Sequence, residues 1–403
     1  MFNLVAERMR ADAEEGGAIF RAKEVLRPPY IPERIPHREE HIERLTSVLA
    51  DAIRAGSPVN IVLFGPLGTG KTVTVKHVSR ALERRANTVY INSEIFDTPY
   101  RVVAYLARKF NKRVPMIGWP AELLYAELKS AIDAEKQHVI VIVDEFEMLV
   151  RNGDETFAYL MRLNSELKHA QVSFVCLADE LSFSKFQNSK ARSAASWKGL
   201  RFLPYTTEEL KDILYDRAQR AFVADALEES VIPLCAALAN SGLGDAGYAL
   251  ELLLVSGEIA EQSGVKPVCA DHVRYASEHI TQIREAERIT MLPVQQKLVL
   301  SAVLFLVRER RRGRFSSGEV YTRYCELCAQ MDLNALTQRR FSDFIAELAE
   351  LELLTAEVVS RGRYGRSKVI SLRIPAEFLQ PVLFGDAQLK ALSSVVEGTS
   401  VAV

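Results

Sequence analysis

Cysteine is scarce in this 403-residue chain: Cys176, Cys235, Cys269, Cys325 and Cys328 are odd in number and widely spread, which excludes a disulfide framework. A reducing cytosol is the compartment that fits. Cys325 and Cys328 form a Cys-x-x-Cys, but no second Cys or His pair stands at zinc-ligand spacing, so they read as packed thiols. Charge of one sign is missing too. The 51 Lys and Arg nearly cancel 52 Asp and Glu, and a net charge of -1 supplies no global field to hold a polyanion or an acidic membrane. Any nucleic-acid surface must therefore be a local patch. Long apolar runs are absent as well: Leu298 to Val307, the longest, contains a serine and is about half the ~20 residues a membrane helix needs. The opening MFNLVAERMRADAEEGG breaks its apolar residues with charge, unlike a secretory signal. No membrane partner is expected, and the chain should stay in the cytoplasm.

Apolar residues make up 48% of the chain against 26% charged, with no excess of Gly or Pro, so disorder, collagen and coiled coil are excluded as the main architecture. At about 150 residues per domain the length points to two or three domains. Residues 1–26 read as a polar helix or loose arm, and Pro28 to Pro36 (PPYIPERIP) must be extended because closely spaced prolines forbid a helix. From His37 a helical pattern runs until Gly56, Ser57 and Pro58 stop it, and a strand begins at about Val59. A helix after Gly70, a strand at Thr88 to Asn92, one or two helices up to about Glu135 and the strand ending at Asp144 and Glu145 follow. A helix around Thr156 to His169, a strand from Val172 and a short strand at about Leu200 to Tyr205 complete the alternation. This pattern predicts an α/β domain over 27–205, a parallel sheet between helices. Residues 206–286 show only helical periodicity and read as an all-helical lid domain. In 290–403, three helices precede two strands joined by RGRYGRSK, the order of a winged helix.

GPLGTGKT, Gly65 to Thr72, matches G-x-x-x-x-G-K-[ST] and lies between an apolar strand and a helix, where a P-loop must lie. Backbone N–H groups around Gly65, Pro66, Gly68, Thr69 and Gly70 would wrap phosphates. Lys71 would reach the terminal phosphates of ATP or ADP, and Thr72 would ligate magnesium. Asp144 and Glu145 leave the sheet at its carboxyl edge in Walker B order. Asp144 would hold Mg2+ through water, and Glu145 would polarise the attacking water. The bland readings are a chance glycine turn and surface carboxylates.

The winged-helix region carries 15 Lys and Arg against 12 Asp and Glu, so placement matters more than the sum. Arg308, Arg310, Arg311, Arg312 and Arg314 crowd the end of its first helix, and Arg339 and Arg340 open its third. Arg361, Arg363, Tyr364, Arg366 and Lys368 fill the hairpin loop, while Asn334, Thr337 and Gln338 offer polar contacts near the recognition helix. These three places are where a winged helix meets duplex DNA. Solvated arginines or a protein-binding winged helix are the alternatives.

Ile35 to Glu39 (IPHRE), GPLGTGKT, IVIVDEFE, FLPYTTEELKDILYDRA and GDAGYALELLLVSGEIAE, in this order from Tyr30 onwards, resemble the archaeal replication initiators. These are AAA+ proteins similar to an origin recognition complex subunit and to the cell division control helicase loader. The resemblance implies a phosphate loop from Gly65 through Val73, nucleotide contacts at Tyr205 and Arg217, and an adenine enclosure around Ile35 to Arg38. The lesser alternative for Tyr205 and Arg217 is an interdomain packing contact. It also implies a DNA-contacting insertion at Phe96 to about Trp119, holding Arg101, Arg108, Lys109, Lys112 and Arg113, although its apolar positions could be core. Two departures stand out: Asp179 replaces the sensor 1 Asn, and Gly247 replaces the sensor 2 Arg of a G-D-A-R motif. Tight nucleotide binding with slow hydrolysis is expected, and the altered sensors lean towards a paralogue of the main initiator. Lys190 and Arg192 are the candidates for an arginine finger, with solvated surface charges as the equal alternative. The partners implied are double-stranded origin DNA, the replicative helicase and paralogous initiator subunits, with the protein on the nucleoid. A nucleotide-gated transcription regulator and a clamp-loader-like remodelling enzyme are the competing readings.

Overall fold

Strands rich in Val and Ile, each followed by a helical segment, assemble into one parallel sheet. The computed structural model describes residues 19–392 apart from 29, 116, 147–148, 150–159, 161, 188–195, 242–243 and 361–365. The first half contains α1 (Glu39–Ala55), β1 (Asn60–Phe64), α2 (Lys71–Leu82), β2 (Asn87–Asn92), α3 (Pro99–Phe110) and α4 (Ala121–Glu135). β3 (His138–Asp144), β4 (Gln171–Ala178), α5 (Glu180–Gln187) and β5 (Trp197–Arg201) follow. The sheet order is β2-β3-β4-β1-β5. Val89, Ile91, Val141, Val143, Phe174 and Cys176 pack on one face with α3 and α4, whereas Ile61, Leu63, Ile140, Ile142, Val175 and Leu177 pack on the other with α1 and α2. Period-two alternation of buried residues produces these two cores.

Registers Phe64↔Ala178 and Asn92↔Asp144 bring the carboxyl ends of β1 to β4 to one edge. The last strand lies earlier than the expected Leu200 to Tyr205. Its pairing with β1 runs from Asn60↔Trp197 to Phe64↔Arg201, and Pro204 has no N–H to extend the ladder. Of the helix expected around Thr156 to His169, residues 156–159 and 161 lie outside the described residues, and the rest ends sooner than expected, in a single 3-10 turn at Leu163–Ser165.

The lid elements are α6 (Thr207–Ala221), α7 (Val231–Ser241), α8 (Ala246–Ser263) and α9 (Ala270–Thr290). Thr206 and Glu209 form a capping box that starts α6 right after the extended segment Phe202 to Tyr205. A strap precedes α1. Phe20 bridges Phe222, the N–H of Arg21 donates to the Ala221 carbonyl at 2.8 Å, and Lys23 and Arg27 pair with Glu261 and Glu258 of α8. Gly257 is needed beneath it, because a Cβ there would stand 2.4 Å from the Phe20 ring.

The chain divides into two compact units, 1–277 and 278–403. The second holds α10 (Val294–Arg310), β6 (Phe315–Ser316), α11 (Ser317–Gln330), α12 (Gln338–Glu350), β7 (Leu354–Ser360), β8 (Arg366–Leu372) and α13 (Ala376–Gly385). Neither β6 nor α13 is expected from the sequence pattern. β6 is two residues long, below the length at which alternation shows, and it closes an antiparallel sheet of order β6-β8-β7. α10 is buried continuously from Gln296 to Leu306, which explains the apolar run seen in the sequence. Among the described residues no single helix is long and apolar enough to cross a membrane.

Within that core Lys297 meets Asp386, just past α13, with side chains 4% and 10% exposed. The ammonium's hydrogen bond holds the Asp386 carboxyl below the usual carboxylate range. Its contribution is therefore complete above the ordinary Asp pKa and is lost as pH falls through the lowered one. Lys297→Ala should cost about 3–5 kcal/mol at neutral pH by leaving a buried carboxylate without its cation, with only the Gln388 N–H still donating to it. Denaturant midpoints check this, and the difference from wild type should shrink in acid.

Candidate nucleotide and nucleic-acid sites

β1 ends directly in the phosphate loop. Gly65 has φ +149, and a Cβ on it would meet the Phe202 carbonyl oxygen at 2.1 Å; at Gly68, φ +70, it would meet Asp245 Oδ1 at 1.7 Å. Only glycine lets the loop pass between β5's exit and the start of α8. The Thr69 hydroxyl donates to the Pro66 carbonyl at 2.9 Å, and Lys71 Nζ donates to the carbonyls of Gly65 and Pro66 at 2.7 and 2.8 Å. Gly70 caps α2, whose first turn carries Lys71, Thr72 and Val73.

Across the sheet edge, Asp144 accepts three hydrogen bonds. Thr72 Oγ1 donates to Oδ2 at 3.0 Å, Tyr90 Oη to the same oxygen at 2.5 Å, and the Glu145 N–H to Oδ1 at 3.1 Å. Burial, then the carboxylate, pushes the Tyr90 phenol's ionisation up, so it remains a donor. A hydroxyl and a carboxylate in contact beside a phosphate loop are the hard oxygen donors that suit magnesium. Glu145 has φ +53, a left-handed conformation that a non-glycine residue adopts at a cost and that clusters at functional sites.

Arg38 is the fastener of this region, which the expected adenine-wall role does not capture. Its buried guanidinium donates to the carbonyls of Thr69 at 2.9 Å, His37 at 2.8 Å and Leu203 at 2.7 Å, and lies 3.9 Å from the Tyr205 ring centroid. Desolvation lowers its pKa, but a guanidinium stays charged. Tyr205 is buried, its ionisation pushed up to about 12 mainly by burial. Its hydroxyl lies 2.6 Å from where a Gly70 Cβ would be. Ile35 is buried one turn before Arg38. Arg217 goes elsewhere. It donates to the Val25 carbonyl at 3.2 Å and lies over Tyr30, 4.6 Å from the ring centroid, so its observed contacts are with the strap.

The lid meets the loop directly. The Ala246 N–H donates to the Gly68 carbonyl at 3.1 Å, and Asp245 caps α8 by accepting from the Tyr248 N–H at 3.0 Å. Gly247, at the expected sensor 2 position, therefore sits in the helix turn that touches the phosphate loop. Asp179, at the sensor 1 position, is exposed and caps α5 through the Ser182 N–H.

In the winged-helix unit, Thr337 caps α12, and Asn334, Gln338, Arg339 and Arg340 are exposed at its start. Phe341, Phe344, Ile345 and Leu348 bury the opposite face. The preceding turn is held from below by a network that no sequence motif signals. Tyr324 Oη accepts from the Leu336 N–H at 3.1 Å and donates to Gln295, while Tyr321 Oη donates to the Leu336 carbonyl at 2.9 Å. Lys368 in β8 donates to Ser342 of α12 at 3.0 Å. The arginine cluster after α10 is partly neutralised: Arg310 and Arg312 share Glu319, and Arg314 pairs with Glu357. Arg361, Arg363 and Tyr364 lie outside the described residues, as do Lys190, Arg192 and the side chain of Arg366.

In the first unit, Val102, Val103, Leu106 and Ala107 of α3 are core, so the apolar half of the insertion is structural. Arg101 is exposed and paired with Asp97. Arg108, Lys109, Lys112 and Arg113 are exposed, with no ion pair among the described residues.

A phosphate loop on a parallel sheet, a helical lid and a winged helix define a AAA+ protein with a C-terminal winged helix. Family comparison agrees: the AAA ATPase domain matches 34–175, the Cdc6 AAA+ ATPase-type lid domain 211–278, and the CDC6 C-terminal winged helix domain 287–380. The chain is 43% identical over 386 residues to ORC1-type DNA replication protein 1 of Methanosarcina acetivorans, covering 94% of this chain and 93% of that protein. It is 43% identical over 389 residues to the Pyrococcus furiosus ORC1-type DNA replication protein, covering 94% and 92%. The structure of the Aeropyrum pernix ORC1 protein in complex with DNA matches with a TM-score of 0.81 and 37% identity, over 93% of this chain and 99% of that one. Cdc6p from Pyrobaculum aerophilum, 22% identical with a TM-score of 0.59 over 94% and 100%, shares the fold. The chain belongs to the ORC1-type family of archaeal DNA replication initiators.

Tyr324→Phe should cost about 1–3 kcal/mol by stranding the Leu336 N–H. If this turn presents α12 to duplex, DNA affinity should also fall while the dependence of binding on salt keeps its slope, because every phosphate-facing cation is still in place. Denaturation and a salt titration of binding measure the two effects.

Proposed function

We propose that this initiator binds ATP at the Gly65–Val73 loop, grips double-stranded origin DNA through its winged helix and the α3 insertion, and helps recruit the replicative helicase. Paralogous initiator subunits are its further partners, and the nucleoid its site of action in the cytosol. The exposed, basic start of α12 carries the DNA reading: Arg339 and Arg340 stand on the solvent side of a helix whose other face is core. The Aeropyrum relative's complex with DNA supports it. Arg101, Arg108 and Lys112 belong to the insertion's contact, and Arg361, Arg363, Tyr364, Arg366 and Lys368 to the wing's.

For the nucleotide, Lys71 holds the terminal phosphates, and backbone N–H groups from Gly65 to Val73 surround the rest. Ile35, Arg38, Tyr205 and Arg217 shape the wall between strap and lid. Magnesium, held through Thr72 and Asp144, would neutralise charge on the phosphate oxygens. Glu145 accepts a hydrogen bond from the attacking water. Hydrolysis is slow because Asp179 offers a carboxylate where an amide would orient that water, and Gly247 offers no guanidinium for the γ-phosphate. Nucleotide then acts as a switch: the Gly68 carbonyl holds the α8 N-terminus, so a change in the loop changes the seat of the lid.

The test is a footprint of the full-length protein on origin duplex in ATP and in ADP, with a salt titration. Arg339→Ala with Arg340→Ala should lower the salt slope by roughly two units, about one for each phosphate no longer neutralised. Lys71→Ala should abolish nucleotide binding and make the two footprints identical. An unchanged slope removes α12 from the interface, brisk steady-state turnover by the wild type contradicts the slow switch, and genomic occupancy at promoters in place of replication start sites would favour a transcription regulator.

A further inference from the structure

Tyr90 lies in β2, outside both phosphate-site motifs, yet its phenol donates to the same Asp144 oxygen as the Thr72 hydroxyl. The sheet register explains how it gets there. Tyr90 pairs with Ile142 and Asn92 with Asp144, so Tyr90 is the diagonal neighbour of Asp144 on the face covered by α2. The ring is held from above: Lys76 Nζ lies 4.5 Å from its centroid, one turn along α2 from Thr72. Asp144 therefore has its orientation fixed by three donors from three directions, namely its own chain neighbour Glu145, the P-loop helix and the adjoining strand.

We propose that Tyr90 is a positioning residue for the metal-holding carboxylate, fixing Asp144 in the orientation in which it supports magnesium beside bound phosphates. The proposal rests on the nucleotide-site reading above. Thr72 has one proton, which it gives to Asp144, leaving its lone pairs for a cation; Tyr90 holds the shared oxygen in place for that pairing. Donors of this outer kind commonly set 10–100-fold of metal affinity.

The experiment measures ADP affinity of the full-length protein with magnesium chloride and with excess EDTA. Wild type should bind more tightly with magnesium. Tyr90→Phe, which keeps the ring, should match wild type in EDTA and lose about tenfold in magnesium. An equal loss in both conditions marks Tyr90 as merely structural and overturns the proposal, as does no loss, a gain in magnesium, or a wild type indifferent to magnesium. Should Tyr90→Phe fail to fold, Tyr90→Leu is read by the same ratio, and an unchanged ratio overturns the idea. A wild type that binds no ADP in either condition would instead sink the nucleotide site itself.

Discussion

A buried guanidinium organises the first unit. Arg38 is surrounded by three carbonyl oxygens and an aromatic face, with no carboxylate in the set. Carbonyl dipoles and a π cloud replace the water that burial strips away; the His37 carbonyl is Arg38's own chain neighbour, whereas Thr69 belongs to the phosphate loop and Leu203 and Tyr205 to the exit of β5. Removing the cation would leave these carbonyls facing one another. The loop's shape is thus fixed by a residue about 30 positions away in sequence, and Tyr205 passes the constraint to Gly70 and to the start of the lid.

Around this fastener the chemistry is divided by strand. β1 brings the phosphate loop, β3 the carboxylates and β2 the tyrosine that steadies one of them, all at the carboxyl edge where parallel α/β sheets place their ligands. The left-handed backbone of Glu145 lies at the same edge. The two altered sensors are structurally quiet: Asp179 caps a helix and Gly247 belongs to a helix start. The chain thus keeps the architecture of a nucleotide site, and the slow hydrolysis proposed above rests on these two substitutions alone.

The fold was largely legible in the sequence, because long apolar strands, proline punctuation and helical periodicity are local signals. GPLGTGKT and Asp144 were legible for the same reason: a motif names its own backbone. What escaped depends on contacts between distant segments. Arg38 as a fastener needs Leu203 and Thr69 brought together, Tyr90 needs the β2–β3 register, and the support of the α12 turn by Tyr321 and Tyr324 needs α10 beneath it. Arg217 is a similar case: its contacts with Tyr30 and Val25 join the lid to the strap, which its own helix does not signal. β5 was misplaced since its pairing with β1, more than its own composition, sets its ends.

A double-mutant cycle between Arg38 and Tyr205, read as ADP affinity, tests most directly whether the nucleotide site is assembled by this contact. With Arg38→Ala, Tyr205→Leu and the pair, the account predicts a coupling of at least about 1 kcal/mol, since each residue acts through the other. Effects that add to within about 0.3 kcal/mol would contradict it.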